Sequence, residues 1–198
     1  SYYDPAPVGG QGSYMYLPGV SGAYASTPDS AAVSITGDID IRVQVALADW
    51  TPGTSQMLVS KAITAGQYSY DFFVNTSFLL AFRPSTNGTV LQNIQSSASP
   101  SFADGSIGWV RVTRNATTGD VVFYTSTDGV TWTQLGTTQS STAGSIFDGT
   151  DSVGVGAASG GATNMSTGRF YRAQIYNGIN GTLVADFDPT RTTQASTS

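Results

Sequence analysis

Residues 109–136, WVRVTRNATTGDVVFYTSTDGVTWTQLG, constrain the fold of this chain more than any other stretch. Strand-forming residues fill 109–114, 121–126 and 131–135, with apolar and polar side chains interleaved. A period of two sends successive side chains to opposite faces of an extended strand. The gaps between the runs carry turn chemistry. The loop from Asn115 to Gly119 ends in a residue free to take positive φ, and Asp128-Gly129 is a strong short-range hairpin signal. Three antiparallel strands in a meander follow, with Trp109 and Trp132 read as core. The chain is therefore expected to be all-β.

Residues 38–47, DIDIRVQVAL, extend the same pattern. Ile39, Ile41, Val43, Val45 and Leu47 share one face, which must pack in a core. Asp38, Asp40, Arg42, Gln44 and Ala46 share the other, which meets solvent or a groove. Further strands are expected at 13–17, 23–26, 56–62, 68–74, 78–83, 89–95, 152–157, 168–176 and 182–188, with residues 137–145 as a polar loop. About a dozen strands with turn signals every 8–12 residues are the mark of a sandwich or barrel. No helix of ordinary length and no fixed repeat competes. One domain is expected over residues 13–190. An extended arm precedes it at 1–12, where Tyr2 and Tyr3 could pack on a neighbouring subunit, and a polar tail follows at 191–198.

The absences exclude several function classes. The 198 residues contain no Cys, no His and no Glu, and Lys61 is the only lysine. A disulfide framework, a zinc site of the usual kind and a Ser-His-Asp triad all lack their residues. Eight basic residues against thirteen acidic ones give a net charge of -5. Nucleic-acid binding needs a basic patch, so none is expected. No apolar run approaches the ~20 residues of a membrane helix, so no membrane insertion is expected.

Three segments resemble a known superfamily: residues 17–43 (LPGVSGAYASTPDSAAVSITGDIDIRV), 109–132 and 170–189 (FYRAQIYNGINGTLVADFDP). Together they resemble the concanavalin A-like lectin/glucanase superfamily, and within it the laminin-G-like jelly-roll domains of phage virion proteins and bacterial surface or secreted proteins. The resemblance implies an antiparallel two-sheet β-sandwich of jelly-roll type. It says little about function, because this fold carries lectins, glycanases and structural modules alike.

Glycanases of this superfamily use a catalytic strand of the form Glu-x-Asp-x-x-Glu, and this chain has no Glu. Asp38 and Asp40 could in principle stand in, but they read as a solvated strand face, so no enzyme is expected. Residues 126–132, STDGVTW, resemble a sialidase Asp-box one residue short, and Asp128 reads as a turn former. A glycan site is expected from Trp50, Tyr68, Tyr70, Asp71 and Arg83, by aromatic stacking and charged hydrogen bonds. Trp50 stands out because it ends a strand beside Pro52-Gly53. Laminin-G domains often hold one Ca²⁺ on a loop edge. The resemblance makes Asp148, Asp151 and Asn164 candidate ligands here, with Ca²⁺ the only cofactor to consider and a plain Asx turn the alternative. The polar face of residues 38–46 and the loops around Trp50 and Asp148 are the other places to look for a ligand.

Two functions follow as expectations. The first is a non-enzymatic structural or adhesion module on a phage virion surface, a head decoration or fibre domain with weak glycan binding. Its partners would be other virion or surface-protein subunits, cell-surface glycans and further copies of itself. The second is a carbohydrate-binding module of a secreted bacterial protein. Either places the chain on a virion surface or outside the cell.

Overall fold

The structure is a computed structural model and describes residues 12–191. Residues 1–11 of the expected arm, with Tyr2 and Tyr3, and the tail beyond residue 191 lie outside the described residues. Fourteen strands and no helix run along the described chain. They are β1 (Met15–Pro18), β2 (Ala25–Thr27), β3 (Ile39–Leu47), β4 (Gln56–Lys61), β5 (Tyr70–Val74), β6 (Leu80–Pro84) and β7 (Ile94–Gln95). Then come β8 (Gly108–Arg114), β9 (Asp120–Ser126), β10 (Thr133–Gln134), β11 (Gln139–Ser140), β12 (Val153–Val155), β13 (Thr167–Asn177) and β14 (Thr182–Phe187).

The strands form two antiparallel sheets, as the alternating sequence demands. The eight-stranded sheet runs β1-β13-β3-β8-β9-β10, with β14 on β13 and β11 on β9. The six-stranded sheet runs β2-β12-β4-β5-β6-β7. Their inner faces meet in one apolar core. Ile39, Ile41, Val43, Val45 and Leu47 of β3 are all fully buried. They face Val59, Phe72, Val74, Leu80 and Phe82 from the other sheet within the same cluster. Each such side chain contributes about 2 kcal/mol on leaving water, so β3 alone anchors the sandwich.

The meander forms, with one correction. Asn115 Oδ1 accepts from the N–H groups of Thr117 and Thr118 at 2.8 and 3.0 Å, and Gly119 takes φ of 82°. The second connection is not a two-residue turn. Thr125 pairs with Thr133, which leaves a six-residue loop at 127–132. Asp128 Oδ1 accepts from Val130 N–H, Thr131 N–H and Ser126 Oγ–H at 2.7–2.8 Å, and these bonds hold its pKa far below the usual carboxylate value. Asp128 therefore ties a wide loop, and the loop folds across the outer face of the sheet. Two other expectations change. The strand expected at 89–95 shrinks to β7, and the loop at 137–145 contains β11 on the edge of β9.

Candidate functional site

Trp50 does not stand at the surface. It is 1% exposed, its indole N–H donates to the Ser106 carbonyl at 3.3 Å, and its ring lies 4.9 Å from Phe102. Its backbone N–H donates to Asp104 Oδ1 at 2.8 Å. The 102–106 loop folds over the end of β3 and turns a seemingly open tryptophan into core. Tyr70 is fully buried as well, on the inner face of β5, and burial pushes its hydroxyl pKa up. Neither ring offers a face to a ligand, which removes both from the glycan site expected from sequence. Tyr68 is half-buried in the loop before β5, its N–H donating to the Gly88 carbonyl at 3.0 Å.

The candidate Ca²⁺ ligands are not assembled for that purpose. Asp151 is buried, and its Oδ2 accepts from the N–H groups of Ile63 and Thr64 at 2.5 and 2.7 Å. Asp148 is exposed, and the Asn164 carbonyl accepts from Met57 N–H at 3.1 Å. Among the described residues no three His, Cys, Asp or Glu side chains gather as a metal site. Ca²⁺ wants six to eight converging oxygens, and this set does not fit it.

Asp71 and Arg83 do come together, on the outer face of the six-stranded sheet. Cross-strand register sets Ser26, Gly154, Ser60, Asp71 and Arg83 in one row across β2, β12, β4, β5 and β6. At ~4.8 Å per strand the row from Gly154 to Arg83 spans roughly 14 Å. Its floor is small and polar. Tyr24 lies over Gly154, where an added Cβ would meet Tyr24 Cδ2 at 3.5 Å. At the other end the Arg83 guanidinium stacks 4.8 Å from the Phe73 ring centroid and donates to Asp71 Oδ2. Burial pushes the Asp71 pKa up, and the Arg83 charge offsets this only in part. Three polar atoms of the row are shielded from solvent: Arg83 Nε makes no hydrogen bond among the described residues, and Ser60 Oγ and Asp71 Oδ1 have only each other.

The outer face of the eight-stranded sheet corrects two further expectations. Asp40 is not on a solvated face. It is fully buried and accepts from Arg42 Nε and Nη2 at 3.2 and 2.7 Å, from Arg111 Nε and Nη2 at 2.9 and 2.8 Å, and from Asn180 N–H at 3.1 Å. Burial alone would raise its pKa, but these donors hold it below the usual carboxylate value. Asn180, at the tip of the β13–β14 hairpin, also accepts from both guanidinium groups at 2.8 Å. Asp38, half-buried just before β3, accepts through Oδ1 from Ala116 N–H at 2.7 Å.

Trp109 and Trp132 are not core either. Both are half-buried on this outer face, edge to face at 6.2 Å. The Arg111 guanidinium sits 5.4 Å from Trp132 and 4.9 Å from Tyr124, and Arg42 sits 4.3 Å from Tyr176. The signal was in the sequence. Trp109 shares its strand parity with Arg111 and Thr113, against Val110 and Val112, which are the fully buried set.

No protein-family model and no curated protein sequence matches this chain. Solved structures do. The CBM40 module of the Ruminococcus gnavus IT-sialidase, bound to α2,3-sialyllactose, matches with a TM-score of 0.63 at 12% identity, over 84% of this chain and 90% of its own. Mouse laminin α1 domains LG4-5 match at 0.57 and 13%, over 88% of this chain and 44% of theirs. The heptameric SAP-like pentraxin of Limulus polyphemus matches at 0.55 and 13%, over 83% and 76%. At such identities the likeness is one of fold. The chain folds as a concanavalin A-like, laminin-G-type jelly roll.

Proposed function

We propose that this chain is a non-enzymatic carbohydrate-binding module acting outside the cell, with its glycan site on the outer face of the six-stranded sheet. One observation carries the reading. Ser60 Oγ, Asp71 Oδ1 and Arg83 Nε stand in one cross-strand row and are shielded, with no hydrogen-bond partner outside that row. Buried polar atoms in native proteins are nearly always fully bonded, so a row left short of partners needs an occupant. A sugar offers hydroxyls that both donate and accept, and Tyr24 and the Arg83–Phe73 stack flank the row with flat surfaces for a ring. The trough holds one carboxylate, whereas glycoside hydrolysis needs a pair on either side of the bond. A carbohydrate-binding module with the same fold, seen with a bound sialyllactose, adds support. Of the two settings the sequence leaves open, these neighbours favour the module of a secreted protein. The three named above include no virion protein.

A glycan array followed by calorimetry tests this. Asp71→Asn and Arg83→Met should keep the far-UV spectrum of the wild type. Each should weaken binding at least about tenfold, since a hydrogen bond to a charged group is worth roughly 1.5–3 kcal/mol. Undiminished binding in both variants would reject the site. A blank array for the wild type would reject the function.

A further inference from the structure

The opposite face of the sandwich carries a cleft of about 490 Å³, whose lining includes Gln44, Thr127, Tyr171, Arg172, Asp188 and Thr190. That volume is in the range of about 300–1,000 Å³ typical of small-molecule pockets. The cleft is built by a bulge. The β13–β3 register shifts between Phe170 and Arg172, so Tyr171 is an extra residue on β13. Phe170 points into the core, while Tyr171 packs with Tyr14 and Ala46 in a separate small cluster outside it. Bulges re-aim single side chains in this way, often next to functional sites.

Tyr171 is 6% exposed, and its hydroxyl is shielded and makes no hydrogen bond among the described residues. A buried hydroxyl left unbonded at the wall of an open cleft is the mark of a missing ligand group or water. The other lining groups suit hydroxyls too. Gln44 donates and accepts through one amide, and Thr127 and Thr190 add hydroxyls. Ile107 adds an apolar edge to this polar floor. The charges select against acids. Arg172 is already held by both oxygens of Asp186 at 2.8 Å, and Asp188 adds a further carboxylate. Asp188 is in turn paired with Arg191 at 3.4 Å, so the cleft offers an acid no uncommitted cation.

We propose that this cleft is a second saccharide site, separate from the Asp71–Arg83 trough, and that it takes a neutral sugar whose hydroxyls bond Tyr171, Gln44 and Asp188. The two sites lie on opposite faces of one sandwich, so a single domain would link two glycan chains.

Backbone amide NMR of the intact chain tests this, with lactose, maltose and cellobiose as neutral probes and 3′-sialyllactose as the acidic one. At least one neutral disaccharide should shift the amides of Gln44, Thr127 and Arg172. Tyr171→Phe, which removes only the hydroxyl, should weaken that titration about tenfold, as expected for one lost hydrogen bond in an enclosed site. Arg83→Met should leave it unchanged, so loss of the trough and loss of the cleft read out separately. The proposal is overturned if neutral probes move no cleft amide up to their solubility. It also falls if Tyr171→Phe binds as the wild type does, or if sialyllactose is the better cleft ligand. Shifts confined to Ser60, Asp71 and Arg83 would remove the second site and keep the first.

Discussion

Replacing Asp40 by Asn should show how much of this sandwich depends on one buried carboxylate. Asp40 is fully buried and receives five hydrogen bonds, four of them from two guanidinium groups. The Nη2 atoms of Arg42 and Arg111 both lie within 2.8 Å of the same Asp40 oxygen. Without its charge, two neighbouring cations remain with Asn180 Oδ1 as their shared acceptor. Removing one partner of a buried ion pair costs about 3–5 kcal/mol. Arg42 has 15% of its side chain exposed and can turn toward water, while Arg111 has 6% and cannot readily follow. The low end, about 3 kcal/mol, is therefore expected at neutral pH. For a domain of this size that is a fall in Tm of roughly 6–12 °C.

The pH dependence has a definite sign. The folded-state pKa of Asp40 is depressed, so its contribution is present above the unfolded-state pKa and is lost as pH falls through the folded one. Scanning calorimetry at neutral pH and at steps into acid should show the gap between wild type and Asp40→Asn closing as pH drops. A variant that melts within about 1 °C of the wild type at pH 7, or a gap indifferent to acid, would refute the reasoning.

Asp71 should behave in the opposite sense. Its folded-state pKa is raised, so stability from this group is present below its unfolded pKa and lost as pH rises through the folded value. Melting curves should then show Asp71→Asn gaining on the wild type as pH rises. Trp50→Ala should cost about 3–5 kcal/mol in urea unfolding, because a fully enclosed indole leaves a cavity. A loss below about 1 kcal/mol would mean that the 102–106 loop does not close over it. Gly168→Ala should fail to fold or lose more than about 3 kcal/mol, since at φ of 150° its Cβ would meet the Ala46 carbonyl oxygen at 2.3 Å on the neighbouring strand. Wild-type melting of that variant would show that the β13–β3 pair can give way.

The alternation in residues 38–47 and 109–126 was enough to place β3, β8 and β9 and to separate their inner residues from their outer ones. That information is local, because strand parity depends only on neighbours in sequence. The errors arise where a distant segment decides. Trp50 looks open until the 102–106 loop closes over it, and nothing near Trp50 encodes that loop. Asp40 looks solvated until Arg111 arrives from β8 and Asn180 from the β13–β14 turn. Asp71 and Arg83 were legible as candidates by residue type. Their partner Ser60 was not, because it depends on the β4–β5 register and the bulge between Met57 and Val59. Tyr171 gave no signal at all, since only the β13 bulge sets it beside the cleft.

The cations of this chain are few, and their placement bears on what it can hold. Of the eight, Arg42 and Arg111 share Asp40, Arg83 is on Asp71, Arg172 on Asp186, Arg191 on Asp188, and the side chain of Lys61, 1% exposed, is on Asp29. Arg114 binds the Thr142 and Gly144 carbonyls, and Arg169 binds that of Gly105. Each therefore has a partner within the fold, a carboxylate for six of the eight. An acidic sugar in the trough would have to compete with Asp71 for Arg83. Glycan recognition as proposed for the two faces would then rest on hydroxyl hydrogen bonds and ring surfaces. Such binding releases no counterions, so the affinity of a neutral glycan should stay flat as salt rises from low to physiological levels and beyond. A steep fall in affinity with salt, measured by calorimetry, would mean that a guanidinium leaves its internal carboxylate to meet the ligand.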